Sequence, residues 1–518
     1  MAASLKLSPF IFPLSFFISH VLFASSLSPP PPPPQTTTLD ISSSLKQAKD
    51  ILSLDPLSFK PFATSQSQLL HSNSSSPPAC VFSIPLHSRA SLHKTDHTDY
   101  KSLVLSRLHR DSARFHSLTT KLLLALNGVQ KSQILPYELS TPIISGTSLG
   151  SGEYFSQVGV GRPEEIDAVR QAVQMVSSIL KNIFALQIQD KQAKIKTKFQ
   201  DCYQQFDPIF NPSTSSTYIL LSCVSRQCSS LDVSSCDSGK CLHHVLYGDG
   251  SYTMGEFVTE MLSFGNSSEV NNIALGCGQY NTGLFARAAG LLGLDGGSFS
   301  LTSQIKATSF SYCLVDRDSA SSSTLDFNSG LPVDSVIASL IRNQKVDTFS
   351  YVRLTDFSVG GQPVQLPLGL FDMDDSGNGG YSFTWFFTLS TAVEATYSTI
   401  FVDSLMRLKF RVGALEATDC GTAITQLQTQ AYNALRDTFV KLAQDLPITS
   451  GVALFNTCYD FSSMSEVSVP TVSFIFGSRR SLDLPAKNFL VPVDSEGTFC
   501  LAFALTLLSL SIIGNVQQ

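Results

Sequence analysis

Asp419-Cys420-Gly421-Thr422-Ala423-Ile424-Thr425 is the stretch of this 518-residue chain that says most about its fold and chemistry. It places a carboxylate beside a Gly-Thr turn. This arrangement suits hydrolysis by two carboxylates that share one proton and together activate a water molecule. One carboxylate cannot perform that chemistry alone, so the rest of the chain must supply a second loop of the same kind.

The N-terminal region predicts a leader followed by a linker and a helix. Residues 1–26 carry one basic residue, Lys6, and a short apolar run, which is typical of a cleaved signal peptide; a signal anchor is the alternative. Six consecutive prolines at 29–34 open a low-complexity stretch to about residue 98, which reads as an extended linker without a core. Residues 99–126 then predict an amphipathic helix.

Charge is unevenly distributed along the chain, whose net charge is −6. Residues 27–140 contain 11 Lys and Arg against 7 Asp and Glu, whereas residues 141–518 contain 23 against 34. A basic leader on an acidic body predicts a prosegment docked by electrostatic attraction and argues against nucleic-acid binding. Ordinary surface variation is the alternative explanation.

Beyond about residue 140, short runs separated by turn residues predict a mostly β body. Residues 164–200 differ, because they contain no Gly, Pro or Cys and predict an amphipathic helix from apolar residues spaced three and four apart: Ile166, Val169, Val173, Val176, Leu180 and Ile183. Residues 381–418 are rich in Phe, Thr and Ser without clear periodicity. Glu394 and many hydroxyl groups argue against a membrane span there.

Two further patterns accompany the opening stretch. Tyr247-Gly248-Asp249-Gly250-Ser251 predicts a glycine-rich hairpin tip that could close as a flap over an extended peptide. Leu291-Leu292-Gly293 and Ile512-Ile513-Gly514 repeat one pattern, in which two large apolar residues precede a glycine that permits close backbone packing.

Together these motifs resemble the pepsin-like aspartic proteases, specifically the plant nepenthesin-type branch that includes the guard-cell aspartic protease group. The resemblance runs from about residue 99 to the last residue and leaves out 164–200 and 381–418. It also rests on Gly150-Ser151-Gly152-Glu153-Tyr154-Phe155, Asp201-Cys202-Tyr203-Gln204-Gln205, Gly276-Cys277-Gly278 and Phe310-Ser311-Tyr312-Cys313-Leu314.

The resemblance implies a secreted zymogen with a mostly β, bilobal pepsin-like fold, carrying a helical insert at 164–200. Its parts would be a signal peptide (1–26), a prosegment (27–140) and two lobes (141–325 and 326–518). A protein or peptide substrate would bind in extended conformation between the lobes. By position, Asp419 matches the second-lobe catalytic residue, Gly421 and Thr422 its loop, and Tyr247 and Gly248 the flap.

Eleven cysteines predict a disulfide framework in an oxidising compartment. The resemblance suggests three sets of pairs: nested loops within Cys223, Cys228, Cys236 and Cys241 (Cys223 with Cys241, Cys228 with Cys236), then Cys202 with Cys277, and Cys458 with Cys500. Zinc binding by the four-cysteine cluster is the competing interpretation, but no Cys-x-x-Cys pair supports it. Asn73 and Asn266 are glycosylation candidates. The expected location is the secretory pathway, ending in the apoplast, the endoplasmic reticulum or the vacuole.

The pattern fails where the first catalytic loop should lie. That interval is occupied by 164–200, in which no Asp is followed by Thr-Gly or Ser-Gly, and the family's final strands are missing after Gln518. One hypothesis is a transcript or gene model that carries non-family sequence at exon edges; another is a helix that docks a partner.

The sequence therefore predicts an aspartic endopeptidase by family, with impaired hydrolysis in this chain because only one catalytic Asp is present. The alternative is a non-catalytic, peptide-binding relative. We expect a monomer that needs no cofactor and has its own prosegment as a partner. No motif supports a metal, nucleotide or nucleic-acid site.

Overall fold

A computed structural model of the chain describes most of the body and part of the N-terminal region. The described residues are 33–54, 82–88, 97–126, 154–162, 169–175, 184–187, 210–246, 252–264, 268–282, 290–294, 298–307, 309–312, 318, 322–328, 336–342, 350–352, 354–372, 381–386, 399–402, 408–411, 417–418, 423–476, 481–508 and 511–517. Residues 34–518 form one structural unit.

The N-terminal region contains more regular structure than its composition predicts. Its elements are Thr36–Asp40 (β1), Ile41–Ser53 (α1), Phe82–Ser88 (β2) and Tyr100–Leu126 (α2). The helix predicted at 99–126 is confirmed. The linker prediction is wrong at 36–53, because Leu39 and Ile41 are buried in the core and Asp40 caps α1 by accepting a hydrogen bond from the Ser43 amide at 2.7 Å.

The first half of the body is built on long antiparallel strands. Its elements are Tyr154–Val160 (β3), Val169–Met175 (β4), Phe184–Gln187 (β5), Ile219–Leu220 (β6), Arg226–Ser229 (α3), Ser234–Asp237 (β7), Lys240–Leu246 (β8), Tyr252–Phe264 (β9), Ser268–Thr282 (β10), Gly290–Leu292 (β11), Leu301–Gln304 (α4), Ser309–Tyr312 (β12) and Ser322–Phe327 (β13). Strands β7, β8, β9 and β10 pair in sequence order, each antiparallel to the next. The mostly β fold is thereby confirmed.

The helix predicted over 164–200 is wrong in the described parts of that segment. Residues 169–175 and 184–187 form strands β4 and β5. Strand β4 pairs antiparallel with β3 and parallel with β11, and β5 pairs with β10 and β11. The 3,4 spacing of apolar residues is a local signal, whereas these pairings join distant parts of the chain, and tertiary pairing overrides local propensity.

The second half contains most of the shorter strands. Its elements are Val336–Arg342 (β14), Ser350–Val352 (β15), Leu354–Val359 (β16), Gln362–Pro363 (β17), Tyr381–Phe386 (β18), Thr399–Val402 (β19), Leu408–Arg411 (β20), Ala417–Thr418 (β21), Thr425–Gln428 (β22), Thr429–Leu442 (α5), Ile448–Thr449 (β23), Cys458–Asp460 (β24), Glu466–Pro470 (β25), Val472–Phe476 (β26), Ser481–Leu484 (β27), Leu490–Pro492 (β28), Thr498–Leu501 (β29), Phe503–Thr506 (β30) and Ser511–Ile513 (β31). Two four-stranded sheets have the orders β17-β16-β26-β27 and β23-β24-β29-β28.

Helix α5 closes the core of this half. Its apolar positions recur every three or four residues, and its buried residues are Ala431, Tyr432, Leu435 and Phe439. The Phe439 ring packs edge-to-face against Tyr459 and Phe489 at centroid distances of 6.2 and 6.0 Å. This packing fixes the strand β22 that precedes the helix, and β22 continues directly from the Asp419 loop.

Candidate active site

The loop with Asp419, Gly421 and Thr422 lies outside the described residues, but the structure defines both of its flanks. Strand β21 leads into the loop and pairs with β18. Ala423, Ile424 and strand β22 lead out of it, and β22 runs parallel to β30. The predicted second-lobe loop is therefore held between two paired strands.

The repeat Ile512-Ile513-Gly514 packs directly against the residues that follow the loop. The Gly514 amide donates to Thr425 Oγ1 at 2.9 Å, and the Val516 amide donates to the Ala423 carbonyl at 3.0 Å. Thr425 is fully buried and donates its hydroxyl to Gln517 Oε1 at 2.6 Å. These contacts fix the backbone on the exit side of the Asp419 loop.

The corresponding repeat in the first half has different neighbours. Strand β11, which contains Leu291 and Leu292 and precedes Gly293, pairs with β4 and β5. Those strands come from residues 164–200, where no Asp-Thr-Gly or Asp-Ser-Gly sequence occurs. The two repeats therefore occupy similar places in their sheets, but only the second lies beside an Asp-containing loop motif.

Helix α2 reaches the exit of the Asp419 loop through a side chain that the sequence analysis did not single out. Asp111, which is 3% exposed, accepts hydrogen bonds from the Ala423 and Ile424 amides at 2.5 and 3.1 Å. One carboxylate thus satisfies two consecutive buried backbone donors. An Asp next to an Arg in a charged helix gives no sequence signal for such a contact.

A buried ion pair holds the same helix one turn earlier. Arg107 Nη1 lies 2.8 Å from Asp318 Oδ1, with side-chain exposures of 4% and 9%. The Tyr100 hydroxyl donates to Asp318 Oδ2 at 2.5 Å. Tyr100, Arg107 and Asp111 therefore fasten one face of α2 to the body.

The flap residues Tyr247 and Gly248 also lie outside the described residues, between two strands that the structure does define. Leu246 and Tyr252 are paired in register at the ends of β8 and β9. Below them, His244 Nε2 contacts Ser235 Oγ at 2.7 Å, and His244 Nδ1 contacts the Tyr252 hydroxyl at 2.8 Å. Strands β8 and β9 therefore pair up to the ends of the predicted flap, and side-chain hydrogen bonds connect residues near that end of the pair.

The predicted disulfide pattern is partly confirmed and partly wrong. Cys458 and Cys500 are bonded as predicted, because β24 and β29 place them directly opposite each other. The nested pairing is wrong, since the bonds join Cys223 to Cys236 and Cys228 to Cys241. The reason is burial: α3 turns Cys228 inward, where it meets the buried Cys241, and leaves Cys223 for the exposed Cys236.

The predicted bond between Cys277 and Cys202 is also wrong, because Cys277 carries a free thiol. Cys202 itself lies outside the described residues. Cys277 is fully buried on β10 opposite Glu256, and burial raises the pKa of its thiol well above the usual range. The neighbouring Tyr218 hydroxyl donates to Glu256 Oε2 at 2.9 Å, so the thiol lies within a polar cluster in the core.

The glycosylation candidates Asn73 and Asn266 lie outside the described residues and stay predictions.

His243 is a second buried titratable group close to the flap hairpin. Its side chain is fully buried, and neither ring nitrogen has a hydrogen-bond partner among the described residues. Burial, followed by the neighbouring His244, lowers its pKa to about 4; the nearby backbone of Gly255 and Glu256 acts in the opposite direction without offsetting this. The ring faces Gly276, where any side chain would collide with it.

This lowered pKa makes acid stability a test of the buried ring. The unfolded chain takes up a proton on His243 near pH 6.5, whereas the folded protein does so only near pH 4, so stability is lost as pH falls through this window. We expect His243→Phe to remove about 3 kcal/mol of the pH dependence between pH 7 and pH 4. Denaturant unfolding at both pH values measures this, with the exposed His109→Gln as the control. An equal acid sensitivity of His243→Phe and the parent protein would contradict the expectation.

No group of three His, Cys, Asp or Glu side chains is placed to hold a metal ion within the described part of the chain. Among the same residues, no helix combines the length and apolar character needed to cross a bilayer.

Comparisons with known proteins agree with the motifs. Residues 192–328 match the xylanase inhibitor N-terminal family, and residues 415–518 match the xylanase inhibitor C-terminal family. These matches begin near the ends of the two segments that the resemblance leaves out.

Curated relatives extend the likeness over most of the chain. Protein ASPARTIC PROTEASE IN GUARD CELL 2 of Arabidopsis thaliana is 38% identical over 80% of this chain and 78% of its own length. Aspartyl protease family protein 2 of the same plant is 40% identical, covering 80% and 77%. Aspartic proteinase nepenthesin-2 of Nepenthes gracilis is 32% identical, covering 73% and 75%.

A solved structure supports the fold. The structure described as "Crystal structure of edgp" matches with a TM-score of 0.50 at 16% identity, covering 71% of this chain and 87% of that one. At that identity the likeness concerns the fold alone. From its motifs, its sheets and these relatives, the chain belongs to the plant pepsin-like aspartic proteases of the nepenthesin type.

Proposed function

We propose that this chain is an aspartic endopeptidase by descent whose hydrolytic activity is strongly impaired in the exact sequence present here. The observation that carries the proposal is the contrast between the two apolar-apolar-Gly repeats. Gly514 is hydrogen-bonded to Thr425 beside the Asp419 loop, whereas β11 pairs with strands from 164–200, which contain no Asp-Thr-Gly. The protein therefore offers one carboxylate where the reaction needs two.

The chemistry explains why one carboxylate is insufficient. In a dyad, one ionised carboxylate takes a proton from the attacking water, and the protonated partner donates to the carbonyl oxygen of the scissile peptide. Without a partner, Asp419 has no second carboxyl with which to share a proton. General acid-base catalysis contributes about 100- to 10,000-fold to rate, and most of this is lost.

A non-catalytic, peptide-binding role is the second candidate. The flap hairpin supports it, because β8 and β9 pair in register up to Leu246 and Tyr252. A cleft that keeps its flap could bind an extended peptide without cleaving it.

The docked helix α2 supports a prosegment role for part of residues 27–140. Its Asp111 bonds the two amides that follow the Asp419 loop, and its Arg107 is paired in the interior with Asp318. The proposed lobes, 141–325 and 326–518, are compatible with the disulfides, since each of the three bonds lies within one lobe. Disulfides also suit the proposed signal peptide and passage through the secretory pathway.

The proposal predicts that the purified 518-residue chain does not cleave denatured haemoglobin at pH 3, 4 or 5. We expect Asp419→Asn to leave the residual rate unchanged, because the dyad is already incomplete. Asp403 is followed by Ser404 but then by Leu405 where the motif needs glycine, so Asp403→Asn is the control and should also leave the rate unchanged. Fluorescent detection of new amino termini, with and without pepstatin, measures this.

Pepstatin-sensitive cleavage that Asp419→Asn abolishes and Asp403→Asn preserves would refute impaired hydrolysis and establish an active enzyme. Binding of a labelled extended peptide in the absence of turnover would favour the second candidate.

A further inference from the structure

Residues 34–54, here called the N-terminal segment, contribute strand β1 and helix α1 to the body. Strand β1 pairs antiparallel with β25 in register from Thr36 with Pro470 to Asp40 with Glu466. Backbone hydrogen bonds extend this pairing at both ends, where the Gln35 amide donates to the Gly360 carbonyl and the Ile41 amide donates to the Ser465 carbonyl. Within the described residues, β25 has no other strand partner.

The apolar side chains of the segment enter the cores of the body. Leu39 and Ile41 lie in the same cluster as Val467 and Val469 of β25, and Ala48 and Ile51 lie in a second cluster with Val491 and Ala502. All four segment residues are at most 2% exposed. Because burial of apolar side chains is the main favourable contribution to association, this is an extensive contact for so short a segment.

The body also has a close-packed binding site, here called the seat, at Gly360 and Gly361, where the segment begins. Gly360 and Gly361 have φ values of +59° and +73°, which disfavour any other residue. A Cβ atom on Gly360 would lie 2.9 Å from the Pro34 side chain, and one on Gly361 would lie 2.7 Å from the Gln35 side chain. Two adjacent glycines thus leave room for the segment's first residues.

We propose that the N-terminal segment is a permanent, non-covalently held part of the body, which stays bound when the chain is cut between it and helix α2. After scission the segment would be a separate polypeptide. It is the one partner that we assign to the edge of β25. Loss of the segment would leave the backbone groups of β25 unpaired and uncover Val467 and Val469, so its release is disfavoured. The region 27–140 is then not one removable prosegment, because residues 34–54 stay with the body.

The test inserts the recognition sequence of a site-specific protease between Leu70 and His71 of the full chain. After complete cutting, verified on a denaturing gel, we expect the N-terminal fragment to co-elute with the body in native gel filtration and to separate from it in guanidinium. If the inserted site resists cutting, the two fragments are produced separately and refolded together. Elution of the fragment apart from the body in native buffer would overturn the proposal, whatever the state of the body.

A peptide-exchange measurement keeps the test independent of variant folding. The cut protein is unfolded in guanidinium and refolded with an excess of a fluorescent peptide of residues 33–54, and incorporation of the peptide in place of the native fragment is followed by anisotropy. We expect the parent peptide and its Thr38→Asp version, altered at an exposed position, to be incorporated, and Leu39→Asp to bind on the order of 100-fold more weakly. Equal binding of all three peptides, or of none, would contradict a specific seat. No step requires proteolytic activity, so the outcome is separate from that of the proposed function.

Discussion

Replacing Arg107 with alanine is expected to lower the free energy of unfolding by about 3–5 kcal/mol, because it removes the guanidinium that faces the buried Asp318 carboxylate. The two side chains are 4% and 9% exposed, so water cannot replace the lost guanidinium. The Tyr100 hydroxyl still donates to Asp318, which places the expected loss toward the lower end of that range. Chemical denaturation at neutral pH measures the change.

The same variant should loosen the exit of the Asp419 loop. Arg107 and Asp111 lie one turn apart on α2, and Asp111 bonds the Ala423 and Ile424 amides. We therefore expect faster hydrogen exchange at those two amides in Arg107→Ala than in the parent protein. This links the buried ion pair to the proposed docking of the prosegment against the loop.

Lys46→Ala is the matched control for this experiment. It breaks an ion pair of similar geometry, Lys46 with Asp50 at 2.5 Å, whose side chains are 76% and 52% exposed. Such an exposed pair contributes about 0.2–1 kcal/mol, and its loss should leave the exchange of Ala423 and Ile424 unchanged. Asp318→Asn in the Arg107→Ala background should recover part of the loss, since it removes the buried charge. Similar stabilities for Arg107→Ala and Lys46→Ala would show that the buried pair does not hold the helix.

The sequence predicts the family and the general fold because short motifs of fixed chemistry carry them. The Asp419 stretch, the flap motif and the two apolar-apolar-Gly repeats are local patterns, and their order along the chain identifies the family. The helix at 99–126 follows from its periodicity in the same way. Where a local pattern and its tertiary role coincide, sequence analysis succeeds.

Sequence analysis fails where pairing between distant parts of the chain decides the local structure. The spacing in 164–200 is helical, yet β3 and β11 offer strand edges that the segment pairs with. The low-complexity composition before residue 98 gives no indication that Leu39 and Ile41 are buried. They are buried because β1 pairs with β25. Disulfide connectivity fails for a related reason, since the burial of Cys228 and Cys241 sorts the pairs and spacing does not reveal burial.

The candidate site shows the same division. Asp419 and Tyr247 are predicted from their motifs and lie outside the described residues, whereas the partners of α2 are visible only in the structure. Asp111 lies on α2 and contacts Ala423, whereas Asp318, 207 positions later in the sequence, contacts the same helix at Arg107. No local pattern marks either residue.

Gly514→Ala is expected to destabilise the protein by more than about 3 kcal/mol, because a single methyl group at this position collides with backbone. An added Cβ would lie 2.3 Å from the Ala423 carbonyl oxygen and 2.5 Å from the Ile424 carbonyl carbon. A side chain could rotate away from such a contact, but these backbone atoms cannot. They are also held by the Val516 amide and by Thr425, whose hydroxyl accepts from the Gly514 amide.

The displacement would fall directly beside the predicted catalytic loop in the sequence, because Ala423 follows Thr422. Relief of the clash requires either the chain at 423–424 or the chain at 514 to move, and each movement separates Gly514 from Thr425. The glycine of the second repeat is therefore required for the position of residues 423 and 424, which follow the Asp419 motif in the sequence, as well as for stability. Urea unfolding and hydrogen exchange of residues 423–428 measure the two effects.

Gly239→Asn provides the control, since a Cβ at Gly239 meets nothing within 4 Å. Its φ of +81° is one that Asn tolerates better than other residues, so the expected cost is about 1 kcal/mol or less. A Gly514→Ala protein that unfolds at the same urea concentration as Gly239→Asn would show that the repeat can separate from the loop without cost. A large loss at Gly514 alone would instead establish that close backbone packing at this glycine supports residues 423 and 424, which follow the Asp419 motif.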